Sequence, residues 1–429
     1  MFHKKTIRDI DLKGKTVLVR ADYNVPVKDG KITDDYRVEK SLPTLKYLLK
    51  QDCKVVICSH LGRPEGPADI SKSLKPVARC LEKLLGSKVE FSADCINSES
   101  RRMIKNLSGG EILLLENLRY YKEEEANEGP FAKKLAEGID LFVQDGFGVV
   151  HRAHASTDAV THYLPSVAGL LVEQEVSVIT EVMEKPERPL FALIGGAKIR
   201  DKIDMLHRFI DIADVVAVGG AMANTFLLAE GIEIGKSLAD PKEIPLAKEI
   251  MNKARAKARK GRFVFYVPQD GVVAEALDNT KPTRIVDWGT HAIADIENYP
   301  KHPPKSSSEV GKHESIFDIG PFSGAFIAGS MQLANTVIWN GAMGVTETKG
   351  LQSKTGPYSQ GTELVVEAML GQFGHKPKTV VGGGDTAGYI ESQKLVSYFT
   401  HVSTGGGASM DLMSGKKLPG VEALQNRDK

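Results

Sequence analysis

Arginines at the ends of apolar runs are the residues in this chain best suited to chemistry, and the chemistry they suit is the holding of a small, densely anionic ligand. Val17-Leu18-Val19 runs into Arg20-Ala21-Asp22, with Asn24 just beyond, and Arg37 opens a helical stretch. Val55 to Cys58 runs into Ser59-His60, with Arg63 three residues on. Leu113 to Leu115 leads to Arg119, and Leu141 to Val143 leads through Gln144-Asp145-Gly146 to Arg152. The planar guanidinium fork matches carboxylate and phosphate oxygens in pairs, where lysine offers a point charge. Single arginines are ordinary surface residues, but a set emerging from separate strands at one sheet edge reads as a site. His151 and His154 flank Arg152 and read equally well as groups that orient it.

In the second half the runs stop at glycine instead. Gly382-Gly383-Gly384-Asp385-Thr386 follows an apolar strand and opens a helical pattern, so unhindered amides and a helix N-terminus point to one place. Thr404 to Ser409, containing Gly405, Gly406 and Gly407, repeats the device after Phe399 to Ser403, and Trp339-Asn340-Gly341 ends another run. Gly195-Gly196 precedes Lys198 and Lys202, whose spacing of four predicts a shared helical face. Amides and lysines together suit a nucleotide's phosphates.

Two other glycine patterns carry nothing. Gly231 to Ser237 resembles a P-loop but has three residues between its glycines where four are needed, and it follows a helical stretch. Gly146 to His151 begins like a dinucleotide fingerprint but has histidine where helix packing wants a small residue.

The elements that must position these residues are parallel sheets. Ten short apolar runs, five in each half and separated by helical stretches, predict strands covered on both faces, with ligands beyond their carboxyl ends. At 429 residues the chain is too long for one core and suits two domains. Leu170 to Met183 places apolar residues at helical spacing, and Pro186 and Pro189 follow, which predicts a connecting helix between the halves. His302 to Glu314 and Glu347 to Gly361 read as polar loops. A net charge of +1 gives no footing for nucleic acid or an anionic membrane, and no apolar stretch reaches the length of a span. Cys53, Cys58, Cys80 and Cys95 lack zinc spacing and read as reduced thiols, which with the lack of a secretory signal predicts a cytoplasmic protein.

With these motifs in view, the chain strongly resembles the phosphoglycerate kinase family. The resemblance runs through Val17 to Pro26, Ser59 to Pro64, Gly195 to Lys202, Trp339 to Gly341, Gly382 to Thr386 and Thr404 to Ser409. It implies two Rossmann-like three-layer α/β domains joined by a hinge helix: residues 1–170 for phosphoglycerate, 171–189 as hinge and linker, and 190–406 for nucleotide. It also implies a tail, 407–429, that returns to the first domain, and a monomer acting on 3-phosphoglycerate and ATP with Mg2+.

Carried over by position, Asp22, Asn24, Arg37, His60, Arg63, Arg119 and Arg152 correspond to phosphoglycerate contacts. Lys202, Asn340, Glu347, Gly383, Gly384, Asp385 and Thr386 correspond to nucleotide contacts, with Asp385 at the metal. The resemblance makes Arg37, Lys198, Gly384 and Gly407 the catalytic set. Departures from the family pattern fall where adenine and ribose would be contacted, at Ala342, Thr346 and 348–361, and in the stretch Ile293 to Phe317. A nicotinamide oxidoreductase would show an intact dinucleotide fingerprint, and none is present. A catalytically impaired nucleotide-binding or scaffold protein of this fold would be expected to lack Arg37, Lys198 or Asp385.

Overall fold

The computed structural model describes residues 2–278, 281–288, 309–348 and 356–427. The central strands of its two large sheets are buried almost throughout: Val17, Leu18 and Val19 are all fully inaccessible, and so are Leu190 to Ile194 to within 1%. Burial without alternation is what covering a strand on both faces produces, and parallel pairing follows from the helical crossovers between strands.

The chain divides into two compact units, Met1–Thr180 with Gly407–Leu412 and Lys416–Lys429, and Glu181–Gly406 with Met413–Gly415. The boundary falls inside the helix Leu170–Glu184.

The first unit holds six parallel strands in the order Val89–Ser92, Ile112–Leu115, Lys54–Cys58, Thr16–Arg20, Leu141–Gln144, Ser166–Ala168. The first strand in sequence therefore lies between Lys54–Cys58 and Leu141–Gln144. The order in which strands are added reverses across the sheet at that point, which opens a crevice at the carboxyl ends. The core beneath it is built by Val17, Val19, Val55, Ile57, Leu114 and Val143, packed on Val38, Leu45 and Leu48 of the helix Tyr36–Lys50. The C-terminal segment adds to this unit: Lys4 pairs with Asn426, and the Gly420 amide donates to the Val150 carbonyl at 2.9 Å.

The second unit also has six parallel strands: Val264–Tyr266, Val215–Val218, Leu190–Ile194, Thr336–Asn340, Lys378–Gly382, His401–Val402. Counted from its own first strand, the order is 3-2-1-4-5-6, the Rossmann arrangement, with its switch point between Leu190–Ile194 and Thr336–Asn340. Trp339, Val337, Leu193 and Val381 centre its core. The expected fold class of two parallel-sheet α/β units is therefore what forms.

The structure differs from expectation in three details. Each sheet has six strands rather than five, because short edge strands such as Ser166–Ala168 and Val264–Tyr266 carry too few apolar residues to stand out. The second unit also carries a small antiparallel sheet, Arg284–Asp287, Asp270–Ala274 and Ser315–Ile319. Of the two polar loops, residues 302–308 and 349–355 lie outside the described residues, and Gln360 and Gly361 already belong to the helix Gln360–Met369. All four cysteines are free thiols.

Candidate functional site

In the first unit the strand ends bring the cations together around His60. His60 is 3% exposed, and its pKa is held well below the usual 6.5, first by burial and then by Arg20, Arg119, Arg37 and Arg152. Arginines from four separate segments thus act on one neutral imidazole. Arg37 donates to Asp22 at 3.2 Å and to the Asn24 carbonyl at 3.1 Å, and Asn24 Oδ1 accepts from the Gly62 amide at 2.8 Å. Arg119 donates to the Gly62 carbonyl at 2.8 Å and pairs with Glu125 at 3.0 Å. Arg152 Nε donates to His151 Nε2 at 3.1 Å, so the ring accepts there. A Cβ on Gly407 would stand 2.9 Å from that same nitrogen, which places the start of the helix Gly406–Met413 against His151. Arg63 is exposed.

Two members of this cluster escaped the sequence reading. Arg20 is 1% exposed, donates to Ser156 Oγ at 2.7 Å and reaches His60 Nδ1 at 3.3 Å. Glu124 is fully buried 4.0 Å from Arg20, accepts from the Ser156 amide and hydroxyl, and has its pKa raised by burial. Arg20 ends the same run as Asp22, so its position was a signal in the sequence. Glu124 sits in a charged helical stretch and offered none.

In the second unit the switch point is occupied by Lys202. Its ammonium donates to the Gly195 carbonyl at 2.6 Å, the Asn340 carbonyl at 3.0 Å and Asn340 Oδ1 at 2.5 Å. Burial lowers its pKa to about 8, against the pull of Asp385 and Asp201. Asn340 Nδ2 is buried with no partner, an orphan donor of the kind a ligand oxygen satisfies. The backbones here meet too closely for side chains: a Cβ on Gly195 would stand 2.0 Å from the Ala342 carbonyl oxygen. Gly383, at φ 93°, turns the chain into the helix Gly384–Ser392, and Thr386 Oγ1 accepts from the Gly341 amide at 2.6 Å. Gly406 lies against the Gly384 amide. Asp385 and Glu347 are both exposed.

Lys198 and Lys202 do not share a helical face. Lys198 is exposed in the turn after Gly196, Arg200–Lys202 is a single 3-10 turn, and the α-helix begins only at Ile203. Glycine-rich backbone bends too sharply after the strand to enter an α-helix at once. One lysine is therefore left free at the surface while the other turns inward.

A magnesium ion suits this surface if the nucleotide carries it. Asp385 offers hard carboxylate oxygens in the first turn of the helix Gly384–Ser392, and the described residues hold no group of three or more His, Cys, Asp or Glu able to cage an ion.

The whole-chain likenesses agree with this chemistry. The sequence profile of the family described as phosphoglycerate kinase matches residues 7–416. The chain belongs to the phosphoglycerate kinase family. It is 44% identical to a phosphoglycerate kinase of Dictyoglomus turgidum, over 99% of this chain and all of that one, and 39% identical to one of Pelotomaculum thermopropionicum with the same shares covered. Among solved structures, the phosphoglycerate kinase of Coxiella burnetii superimposes with a TM-score of 0.80 at 36% identity, covering 98% of both chains. That of Pyrococcus horikoshii gives 0.79 at 29%, covering 99% of this chain and 98% of its own.

Proposed function

We propose that this family member is an active phosphoglycerate kinase, moving a phosphoryl group reversibly between 1,3-bisphosphoglycerate and ADP to give 3-phosphoglycerate and ATP. The observation that carries the reading is the convergence of Arg20, Arg37, Arg119 and Arg152 on His60. A neutral imidazole ringed by guanidinium groups suits a ligand bearing both a carboxylate and a phosphate. Asp22, Asn24, Arg37, His60, Arg63, Arg119 and Arg152 would hold phosphoglycerate. Lys202, Asn340, Glu347 and the Gly383 to Thr386 turn would hold the nucleotide. The acceptor carboxylate is ionised at neutral pH, so no general base is required and catalysis reduces to positioning and charge neutralisation. Arg37 and the free ammonium of Lys198 would meet charge on the acceptor and on the moving phosphoryl group, with the Gly384 and Gly407 amides as further donors. Asp385 would hold magnesium, which supplies neutralisation of phosphate charge when bound.

We further propose that the enzyme works as a monomer in the cytoplasm, with residues 1–170 and the 407–429 tail serving phosphoglycerate and 190–406 serving nucleotide. The Leu170–Glu184 helix and its 171–189 surroundings would act as hinge during turnover. No described helix is long and apolar enough to cross a membrane. The purified chain should form ADP from ATP only when 3-phosphoglycerate is present, read through a coupled dehydrogenase. ADP formation independent of 3-phosphoglycerate, or none, would overturn the reading. Small-angle scattering should show a more compact form with both ligands than with either alone; four identical curves alongside full activity would exclude the hinge.

A further inference from the structure

A second surface lies on the nucleotide-side unit, lined by none of the residues assigned above. The strand Val264–Tyr266 is the last in its sheet, paired on one side only, with Val215–Val218. The Val264 amide donates to the Asp214 carbonyl at 3.1 Å, so by the alternation of a parallel ladder the amide and carbonyl of Phe265 face away from the sheet. Edge strands of this kind are normally blunted by a covering element, a proline or an inward charge. This strand is short, three residues, yet Val264 is 42% exposed.

Beside this edge runs a groove of about 350 Å3 between the strand and the helix Ile244–Ala258. Met251, Ala254 and Ala258 form one wall, and Phe263, Val264 and Val267 the other. The acid that lines it, Glu230, stands 3.8 Å from Arg255 and is already countered.

The rim is strongly basic. Residues 250–269 contain six lysines and arginines and no acid, although the chain as a whole has a net charge of only +1. Lys253 and Lys257 are spent on the end of the helix Ile203–Ile212, through Asp211 and the carbonyls of His207, Ile210 and Ala213. Arg259, Lys260 and Arg262 are exposed, and no hydrogen bond or ion pair engages their side chains among the described residues. Three cations in four positions make a local positive patch that an anionic partner would complement.

We propose that the Val264–Tyr266 edge is a docking site for an extended peptide segment of a partner protein, one in which apolar and acidic residues alternate. The segment adds to the sheet through the outward amide and carbonyl of Phe265 and places its apolar side chains in the groove. Its carboxylates meet Arg259, Lys260 and Arg262. Strand addition takes affinity from main-chain hydrogen bonds and selectivity from alternate side chains, and the edge, groove and rim supply these parts together. Nucleic acid would use the cations but neither the apolar walls nor the free ladder positions, which favours the peptide.

The probe is a fluorescein-labelled synthetic peptide of alternating valine and glutamate, titrated with the full chain and followed by anisotropy. Saturable binding is expected, weakened about tenfold by the double substitution Arg259→Glu, Arg262→Glu and by a rise from low to 0.3 M salt. Methylating alternate peptide amides, a change that leaves the protein untouched, should abolish it. Hydrogen exchange at the Phe265 amide should slow on binding, and transferase activity should stay unchanged in the double variant. Binding that tolerates amide methylation or charge reversal overturns the proposal, as does an absence of binding. Equal or tighter capture of a single-stranded oligonucleotide or of phosphatidylserine vesicles through the same arginines overturns it too, in favour of a polyanion surface.

Discussion

Lys202 and Asn340 hold each other across the switch point of the second sheet. The lysine ammonium meets both the side-chain and main-chain oxygens of the asparagine, whose own Nδ2 has no partner. Three oxygen acceptors satisfy the three N–H donors of a protonated amine, while burial opposes the charge and brings its pKa to about 8. The pair is thus a preformed cation with the asparagine amide N–H groups left for a ligand.

That balance should make nucleotide affinity pH-dependent on the alkaline side. In the proposed site the protonated amine attracts the polyphosphate, so the Kd for ATP should be flat below pH 8 and rise by up to about tenfold per pH unit above it. Lys202→Arg stays charged and should show a flat profile through pH 9.5, whatever its absolute affinity. Calorimetric titration across pH 7 to 9.5 checks this, and parallel profiles for the two proteins would remove Lys202 from nucleotide binding.

The two cations proposed to meet developing charge should behave differently from Lys202. Lys198 is exposed and, among the described residues, has no side-chain partner, while Arg37 is tied there only to Asp22 and the Asn24 carbonyl. Lys198→Ala and Arg37→Ala should each lower turnover by about a hundredfold or more with ATP affinity nearly unchanged. Steady-state kinetics with a separate ATP binding measurement decides it; near-normal turnover in either variant excludes that residue.

Asp385 sits in the first turn of the helix Gly384–Ser392 and is exposed, so its replacement should spare the fold. Asp385→Asn is expected to raise the magnesium concentration giving half-maximal rate by about tenfold, with an unchanged melting temperature. A magnesium titration that overlays the parent's would assign the ion to another group.

Asp145 makes stability depend on pH. Its Oδ1 accepts from the Leu171 amide at 3.0 Å at the start of the connecting helix, its Oδ2 is buried without a partner, and burial raises its pKa from 3.8 to about 7. A carboxyl raised on folding favours the folded state in its protonated form. The contribution is complete below 3.8 and is lost as pH rises through 7. Asp145→Asn, neutral throughout, should therefore gain on the parent with rising pH, by ~4 kcal/mol between pH 3.5 and pH 8. Urea unfolding at several pH values measures it, and a difference that stays constant would mean the carboxyl is not perturbed.

Much of the fold was legible because buried parallel strands must be continuously apolar and must end where the chain turns to the ligand side. Val17 to Arg20, Val55 to Cys58, Trp339 to Gly341 and Val381 to Gly383 declare themselves by that rule alone. The residue types at those ends, arginine in one half and glycine in the other, already distinguish two kinds of anionic ligand. The short edge strand Val264–Tyr266 stayed hidden, since three residues cannot display a period. So did the role of Glu124, because its partners Arg20 and Ser156 are brought to it by strand order rather than by spacing. Lys198 and Lys202 show the same limit: four positions apart predicts one face, but a 3-10 turn after two glycines sends one outward and the other to an asparagine 138 residues away. Strand runs and their terminal residues are local properties, set by which side chains can be buried. Which ends become neighbours, and which charges are then stripped of water, depends on long-range packing that no stretch of sequence contains.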